Sequence, residues 1–282
     1  MIDVHSHTWD PQLHFTEQLL DQAVKGHGGK VDLSVGLAAY RQQAPEQIRT
    51  IVFGGKARLS GIWTDNAYVA EYVAQDPDLI GFLSVDPTQD GWEREMRQCH
   101  QELGFVGIKL LPMYAGFRPD DERCDPLWRY AQRNGLPVLV HTGTTFIPQA
   151  PIECTLPRHI DTVARRFPDL AIVMAHLGHP FEGECIAVVR KHDRVFADVS
   201  ALHYRPFQLH HSLILAKEYG VWSKLLFGSD YPFTTVNASI AGLRTMAEHP
   251  VTPGITSITS DDIEDLIHRD SLALLGLAGC AG

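Results

Sequence analysis

His5-Ser6-His7 places two imidazoles at i and i+2. On an extended strand such a pair projects to one face, where both rings can converge on a single metal ion. Three further residues of metal-binding type each close an apolar run later in the chain. His141 ends Val138-Leu139-Val140-His141, His176 ends Ile172-Val173-Met174-Ala175-His176, and Asp230 ends Leu225-Leu226-Phe227-Gly228-Ser229-Asp230. Neutral imidazoles with a carboxylate are borderline donors, matched to Zn²⁺ and open to Mn²⁺, Fe²⁺, Co²⁺ or Ni²⁺. Taken singly, a histidine at the end of an apolar run is a hydrogen-bonded polar residue and nothing more. A shared centre requires a fold that brings four run ends together.

The rest of the sequence predicts such a fold. Eight short β-rich runs recur, at 2–5, 50–53, 79–85, 105–111, 137–141, 171–176, 194–199 and 224–229. Stretches with helical periodicity separate them, at 66–74, 92–103, 126–134, 158–167, 182–192 and 206–219. Near-continuous apolar strands in that alternation imply a parallel sheet covered by helices. Eight such units favour an α/β fold of the closed (β/α)8 kind, a TIM barrel, over an open doubly wound sheet. All strand C-termini of that barrel ring one mouth, so the metal site is expected there.

Asp76-Pro77 and Phe167-Pro168-Asp169 stand where a helix must stop before the next strand. Residues 8–49, the longest non-strand piece, contain Gly26-His27-Gly28-Gly29 and read as an insertion or lid after the first strand. The connections 112–124 and 142–157 also follow strand C-termini, the face where barrel enzymes build their sites. Past Thr235 the chain reads as helices, with 261–275 the last of them. No linker or low-complexity segment interrupts the chain, so residues 1–282 are expected to form a single domain.

Composition narrows the partners. Lys and Arg number 24 against 34 Asp and Glu, a formal net charge of −10. An acidic chain lacks the basic face that nucleic acid or an anionic membrane requires. The mean hydropathy of −0.10 and the lack of a membrane-length apolar run point to a globular protein; a homo-oligomer is compatible with the sequence. Five cysteines stand singly, neither a disulfide framework nor a zinc ribbon. With no signal-peptide pattern at Met1-Ile2-Asp3-Val4-His5, the cytoplasm is the expected compartment. The chain has no G-x-x-x-x-G-K-S/T loop, no G-x-G-x-x-G after a strand, no G-x-S-x-G elbow and no H-E-x-x-H pair, so P-loop, Rossmann, serine-elbow and zincin chemistries lack support.

The motifs Asp3-Val4-His5-Ser6-His7, Pro137-Val138-Leu139-Val140-His141, Ala175-His176-Leu177-Gly178 and Phe227-Gly228-Ser229-Asp230-Tyr231-Pro232 resemble those of the amidohydrolase superfamily. Within it they resemble the amidohydrolase-related branch that includes aminocarboxymuconate-semialdehyde decarboxylase. Similarity extends down to the ending Ser271-Leu272-Ala273-Leu274-Leu275-Gly276-Leu277. The motifs specify the superfamily and not a substrate. The resemblance implies that His5, His7, His141 and Asp230 hold a divalent metal, Zn²⁺ first. It makes His176 the catalytic acid/base or a ligand to a second metal, with Asp230 catalytic as acceptor of the proton of water. Water on such a cation ionises near pH 7, roughly, and the cation polarises a carbonyl.

Lys109 has three readings: a cation for a substrate carboxylate, ranked first; a carboxylated lysine bridging two metals, as in some superfamily branches; and a lysine reaching a barrel-interior acid. Lys56 and Arg58, after the second strand, are candidate carboxylate binders or solvated loop residues. His159, His179, His203, His210 and His211 read as surface or supporting groups, His179 being the best placed to support the site. The expected activity is metal-dependent hydrolysis of a small carboxylated or cyclic substrate, a lactone or amide. The alternatives are non-oxidative decarboxylation of a small carboxylic acid and a non-catalytic barrel that binds metal.

Overall fold

The computed structural model describes residues 1–26, 29, 32–249, 254 and 256–279. His27 and Gly28 of the glycine-rich run, and Cys280, lie outside the described residues. Eight parallel strands, one from each expected run, form a single sheet: β1 (Ile2–His7), β2 (Arg49–Phe53), β3 (Leu79–Ser84), β4 (Gly107–Leu110), β5 (Val138–Val140), β6 (Ile172–Met174), β7 (Val195–Asp198) and β8 (Leu225–Leu226). Consecutive strands are hydrogen-bonded neighbours throughout. The fold is a TIM barrel.

The seam between β8 and β1 closes through backbone bonds: Val4 donates to Phe227 O at 3.0 Å, Asp230 to His5 O at 2.7 Å and His7 to Tyr231 O at 2.8 Å. Asp3 pins this seam. Its buried carboxylate accepts from the amides of His5 (3.1 Å) and Ser229 (2.9 Å) and from the hydroxyls of Ser229 (2.6 Å) and Tyr40 (3.3 Å). Burial nevertheless raises its pKa to about 6, because four donors do not restore the hydration of a fully enclosed charge. Between Asp3 and Ser6 the register of β1 against β2 slips, a bulge at the position of His5 of the kind that re-aims side chains beside active sites.

Two apolar layers follow from strand alternation. Val4, Ile51, Phe53, Ile80, Phe82, Leu139, Val173, Phe196 and Leu226 fill the barrel interior. Alternate strand residues such as Val52, Leu83, Ile108, Val138 and Ile172 pack outward under the helices. Those helices are α1 (Asn66–Val73), α2 (Trp92–Leu103), α3 (Asp125–Asn134), α4 (Arg158–Arg166), α5 (Glu182–Lys191), α6 (Pro206–Glu218) and α7 (Val236–Thr245). Gly107 on β4 is required by the interior: a Cβ there would stand 2.4–2.6 Å from the Phe82 ring.

The chain departs from the sequence expectation in two places. The last helix is divided into α8 (Ser260–His268) and α9 (Ser271–Leu275). Arg269 turns extended, spending its guanidinium on Trp222 O and Leu225 O at 2.6 Å each, and Asp270 caps α9 by accepting from Ala273 N at 3.0 Å. Leu272 and Leu275 of α9 join the interior layer beside Ile2 and Ala171, sealing the end opposite the strand C-termini. A small antiparallel hairpin, Lys56–Ala57 with Ile62–Trp63, occupies the connection after β2.

Residues 8–49 hold the helices Pro11–His14, Glu17–Gly26 and Leu37–Gln42. The segment is tied down by Trp9 Nε1–H donating to Leu33 O at 2.7 Å and by Gln22 donating to Gln149 at 2.9 Å. No helix among the described residues is long and apolar enough to cross a membrane.

Candidate metal centre

The C-terminal ends of β1, β5, β6, β7 and β8 deliver polar side chains to the mouth, and their hydrogen bonds orient the imidazoles. His5 Nδ1 lies 2.9 Å from Asp198 Oδ2. An ionised carboxylate only accepts, so Nδ1 donates to Asp198, while Nε2, 3.2 Å from Asp230 Oδ1, is the nitrogen turned to the cluster; the two carboxylates raise the pKa of the ring against its burial. His176 Nδ1 faces Ser200 O at 3.2 Å and Ser200 Oγ at 2.8 Å. The carbonyl again demands a proton on Nδ1 and leaves Nε2 bare. His7 Nε2 reaches the same Asp230 Oδ1 at 3.1 Å, and its ring stacks on Trp9 at 4.3 Å. The His141 ring lies 5.1 Å from that of His176 and meets Tyr114 edge-on at 4.9 Å.

The backbone that aims these groups is strained. His176 (φ 56°), Leu177 (φ 48°), Ala201 (φ 55°) and Asp230 (φ 63°) are non-glycine residues in the left-handed region, each at a cost of about 1–2 kcal/mol. All four sit at strand ends of the mouth. A glycine is obligatory nearby: at Gly143 (φ 110°) a Cβ would stand 2.4 Å from His179 O.

The donor set fits a divalent cation. One donor atom from each of His5, His176 and Asp230 lies within 4.8 Å of the others. Two further imidazole nitrogens, His7 Nδ1 and His141 Nε2, are buried with no partner, a costly state for a polar atom unless something is to occupy it. Burial lowers the pKa of His7 to about 3 and of His176 to about 4, and that of His141 well below the ordinary value. All three imidazoles are therefore neutral at pH 7, the form that ligates. Asp230 is buried too, yet the His5 charge and the contacts with His5 and His7 outweigh desolvation and hold its carboxyl well below the usual range. His176 thus stands inside the donor cluster rather than behind it.

Asp198 and Ser200 escaped the sequence reading. Asp198 is fully buried at the end of β7 and accepts from the His176 amide (3.0 Å), the Ser200 amide (3.0 Å) and Ser200 Oγ (2.5 Å), besides facing His5. Against the desolvation of its site, the His5 charge holds it ionised. The Asp198 carboxylate therefore orients His5 and the Ser200 carbonyl orients His176. The available signal was a carboxylate at the end of Arg194-Val195-Phe196-Ala197-Asp198, the same signal that marks Asp230. We predict that Asp198→Asn weakens metal binding about 10–100-fold in competition with a chromophoric chelator, because the amide can donate to His5 Nδ1 and release the tautomer. Unchanged affinity would reject this supporting role.

The three expected substrate cations have other surroundings in the structure. Lys56 is buried against the Glu95 carboxylate, with Asp65 at 3.8 Å, so its charge is neutralised inside the protein. Arg58 lies over the Trp63 ring at 3.8 Å in a separate cleft with Asp86 and Trp92. Lys109 has no exposed surface. Its Nζ sits 3.3 Å from His5 Nε2 and 4.5 Å from the Phe53 ring centre, and burial lowers its pKa to about 7. None of the three lines the cavity that opens over the cluster. Among the remaining histidines, His179 lines that cavity and bonds Glu182 at 3.0 Å, while His159 is held by Glu153 O at 2.7 Å.

That cavity measures about 520 Å³ and is bounded by His141, His176 and Asp230 on the barrel side and by Gly26, Tyr114, Phe146, Leu202, Arg205 and Phe233 around and above. Comparison with known proteins follows the architecture. A family model described as Amidohydrolase matches residues 2–276. An uncharacterised TIM-barrel protein from Bordetella bronchiseptica is 22% identical with a TM-score of 0.74, 99% of each chain being covered. A probable 2-pyrone-4,6-dicarboxylic acid hydrolase from Acinetobacter baumannii, with citric acid bound, is 16% identical (TM-score 0.64, 98% of each chain). A dihydroxybenzoic acid decarboxylase from Polaromonas sp. JS666, with bound manganese, is 17% identical (TM-score 0.63, 98% of this chain and 96% of that one). At these identities the likeness to solved structures is one of fold. No curated protein sequence matches the chain.

Proposed function

The chain belongs to the amidohydrolase family, and from that premise we propose that it is a metal-dependent hydrolase of a small carboxylated or cyclic substrate, a lactone or an amide. His5, His7, His141 and Asp230 hold the ion, with His176 close enough to join them. A divalent cation there supplies Lewis acidity that polarises a carbonyl and eases the ionisation of water; Zn²⁺ is our first choice, and Mn²⁺ is the ion in one structural neighbour.

One observation carries hydrolysis over decarboxylation: the site's unspent groups are bases. Asp230 turns Oδ1 to His5 and His7, and its carboxylate, which lines the cavity, receives the proton of the attacking water. His176 is neutral and has committed its one proton at Nδ1 to Ser200. Its Nε2 takes up a proton before giving one to the leaving oxygen or nitrogen. Protonation of a carbon, as decarboxylation needs, would call for an imidazolium from the start. Residues 8–49 act as a lid, since Gly26 at the end of their second helix lines the cavity and lies against Phe146.

The decarboxylase reading draws on a specific observation as well, the bound-manganese neighbour named a dihydroxybenzoic acid decarboxylase. The test is a panel of five- and six-membered lactones, cyclic amides and hydroxybenzoic acids given to the metal-loaded protein, following acid release and carbon dioxide separately. Ring opening without carbon dioxide is expected. Carbon dioxide from the aromatic acids, with every lactone and amide left intact, would replace hydrolysis by decarboxylation.

A further inference from the structure

With Lys56, Arg58 and Lys109 removed from the cavity, its walls still hold one cation among the described residues: Arg205. The arginines elsewhere show what that position lacks. Arg41, Arg158 and Arg166 each grip a carboxylate at 2.6–2.7 Å. Arg205 is half-buried and has no carboxylate within ion-pair distance among the described residues. Its guanidinium carbon lies 4.6 Å from the centre of the neighbouring Tyr204 ring. A ring beneath the guanidinium steadies the planar fork while leaving its N–H donors free for an acceptor that arrives from solution. A partly desolvated cation without a counter-ion is unfavourable by itself.

We infer that Arg205 is the anion-binding residue of this cavity, and that the substrate carries a carboxylate which is not the reacting group. The inference rests on the cavity being the active site of the proposed hydrolase, and it deepens that reading by naming the substrate class. Position supports it. Arg205 stands at the N-cap of α6, a helix of 13 residues, whose dipole adds positive potential at the same end. The metal donors occupy another wall of the same cavity, so one ligand can engage both. The remaining walls select shape: Phe146, Phe233 and Leu202 are apolar, and Tyr114 adds a phenol. A volume of about 520 Å³ suits a compound of one ring with small substituents.

The experiment is calorimetric titration of the metal-loaded full-length protein with benzene-1,3-dicarboxylate and, separately, with its neutral diamide. For the dicarboxylate, R205Q is expected to bind about ten- to a hundredfold more weakly than the wild type, the range of a lost charge-assisted fork. R205K should fall between them, and the diamide should bind all three proteins alike. Equal dicarboxylate affinity in R205Q and wild type, or no dicarboxylate binding to the wild type, overturns the inference. If R205Q proves unfolded by circular dichroism, R205K, which keeps charge and stem, takes its place: weaker dicarboxylate binding supports the anion site and wild-type affinity overturns it. The two levels separate cleanly: Arg205-dependent binding without turnover of any lactone or amide would refute the hydrolase alone, and turnover with Arg205-independent binding would refute the anion site alone.

Discussion

Asp230→Asn should leave a folded, barrel-shaped protein whose kcat is lower by roughly 10²–10⁴-fold, the range of a lost general base. The substitution isolates chemistry from shape. Asparagine enters the left-handed region as readily as aspartate does, so the φ of 63° at this position is kept. Its carbonyl oxygen can still face His5 and His7, which now lie 3.2 and 3.1 Å from Oδ1. What disappears is the negative charge and the capacity of the second oxygen to take up a proton. The variant's melting temperature should stay within a few degrees of the wild type, and steady-state kinetics should show the loss in kcat. Wild-type turnover in a variant with normal metal content would remove Asp230 from the chemistry.

Metal removal should have the larger effect: exhaustive treatment with a strong chelator is expected to abolish turnover, and Zn²⁺ or Mn²⁺ to restore it. The donor set has no other common purpose, with two imidazole nitrogens buried and unpartnered and three imidazoles held neutral. Stability should change in step. An ion present at a hundred times its Kd adds about 2.7 kcal/mol, which for a chain of this size is a fall of roughly 5 °C in Tm on removal. Full activity in protein shown to be metal-free by elemental analysis would refute the metal requirement. An unchanged Tm would mean that the five side chains do not bind the ion jointly.

Much of this architecture was legible because barrel strands are buried on both faces and so read as continuous apolar runs between helical stretches. The runs ending at His141, His176 and Asp230 could be recognised from residue type alone, and the barrel supplies their convergence. Asp198 carried the same signal and was passed over, since a carboxylate at a strand end says nothing of whether it faces a metal or the back of an imidazole. Lys56 and Arg58 failed for a related reason. They follow a strand C-terminus, but the hairpin of Lys56–Ala57 with Ile62–Trp63 turns them toward Glu95 and Trp63, and no periodicity announces a hairpin of two-residue strands. Lys109 occupies an interior position of β4 beneath the cluster, where distance along the strand decides between substrate and core. Arg205 could not be found by pattern at all, because its meaning lies in the carboxylate that is missing beside it.

The seam between β8 and β1 has a consequence for how the protein comes into being. His7 and Asp230, which share a contact of 3.1 Å, are 223 residues apart in sequence, and Asp3 and Ser229 tie the same two strands from within. His5 and His7 stand on the first strand of the barrel, and the candidate donor cluster is incomplete until the eighth strand is in place. A barrel in which every other strand has paired still lacks the centre, since the entropic cost of so long a closure is met only when the final strand docks. An ion held by the candidate cluster would clasp the two ends of the sheet. Cation loading would thereby report a closed barrel, since a misregistered one lacks the cluster.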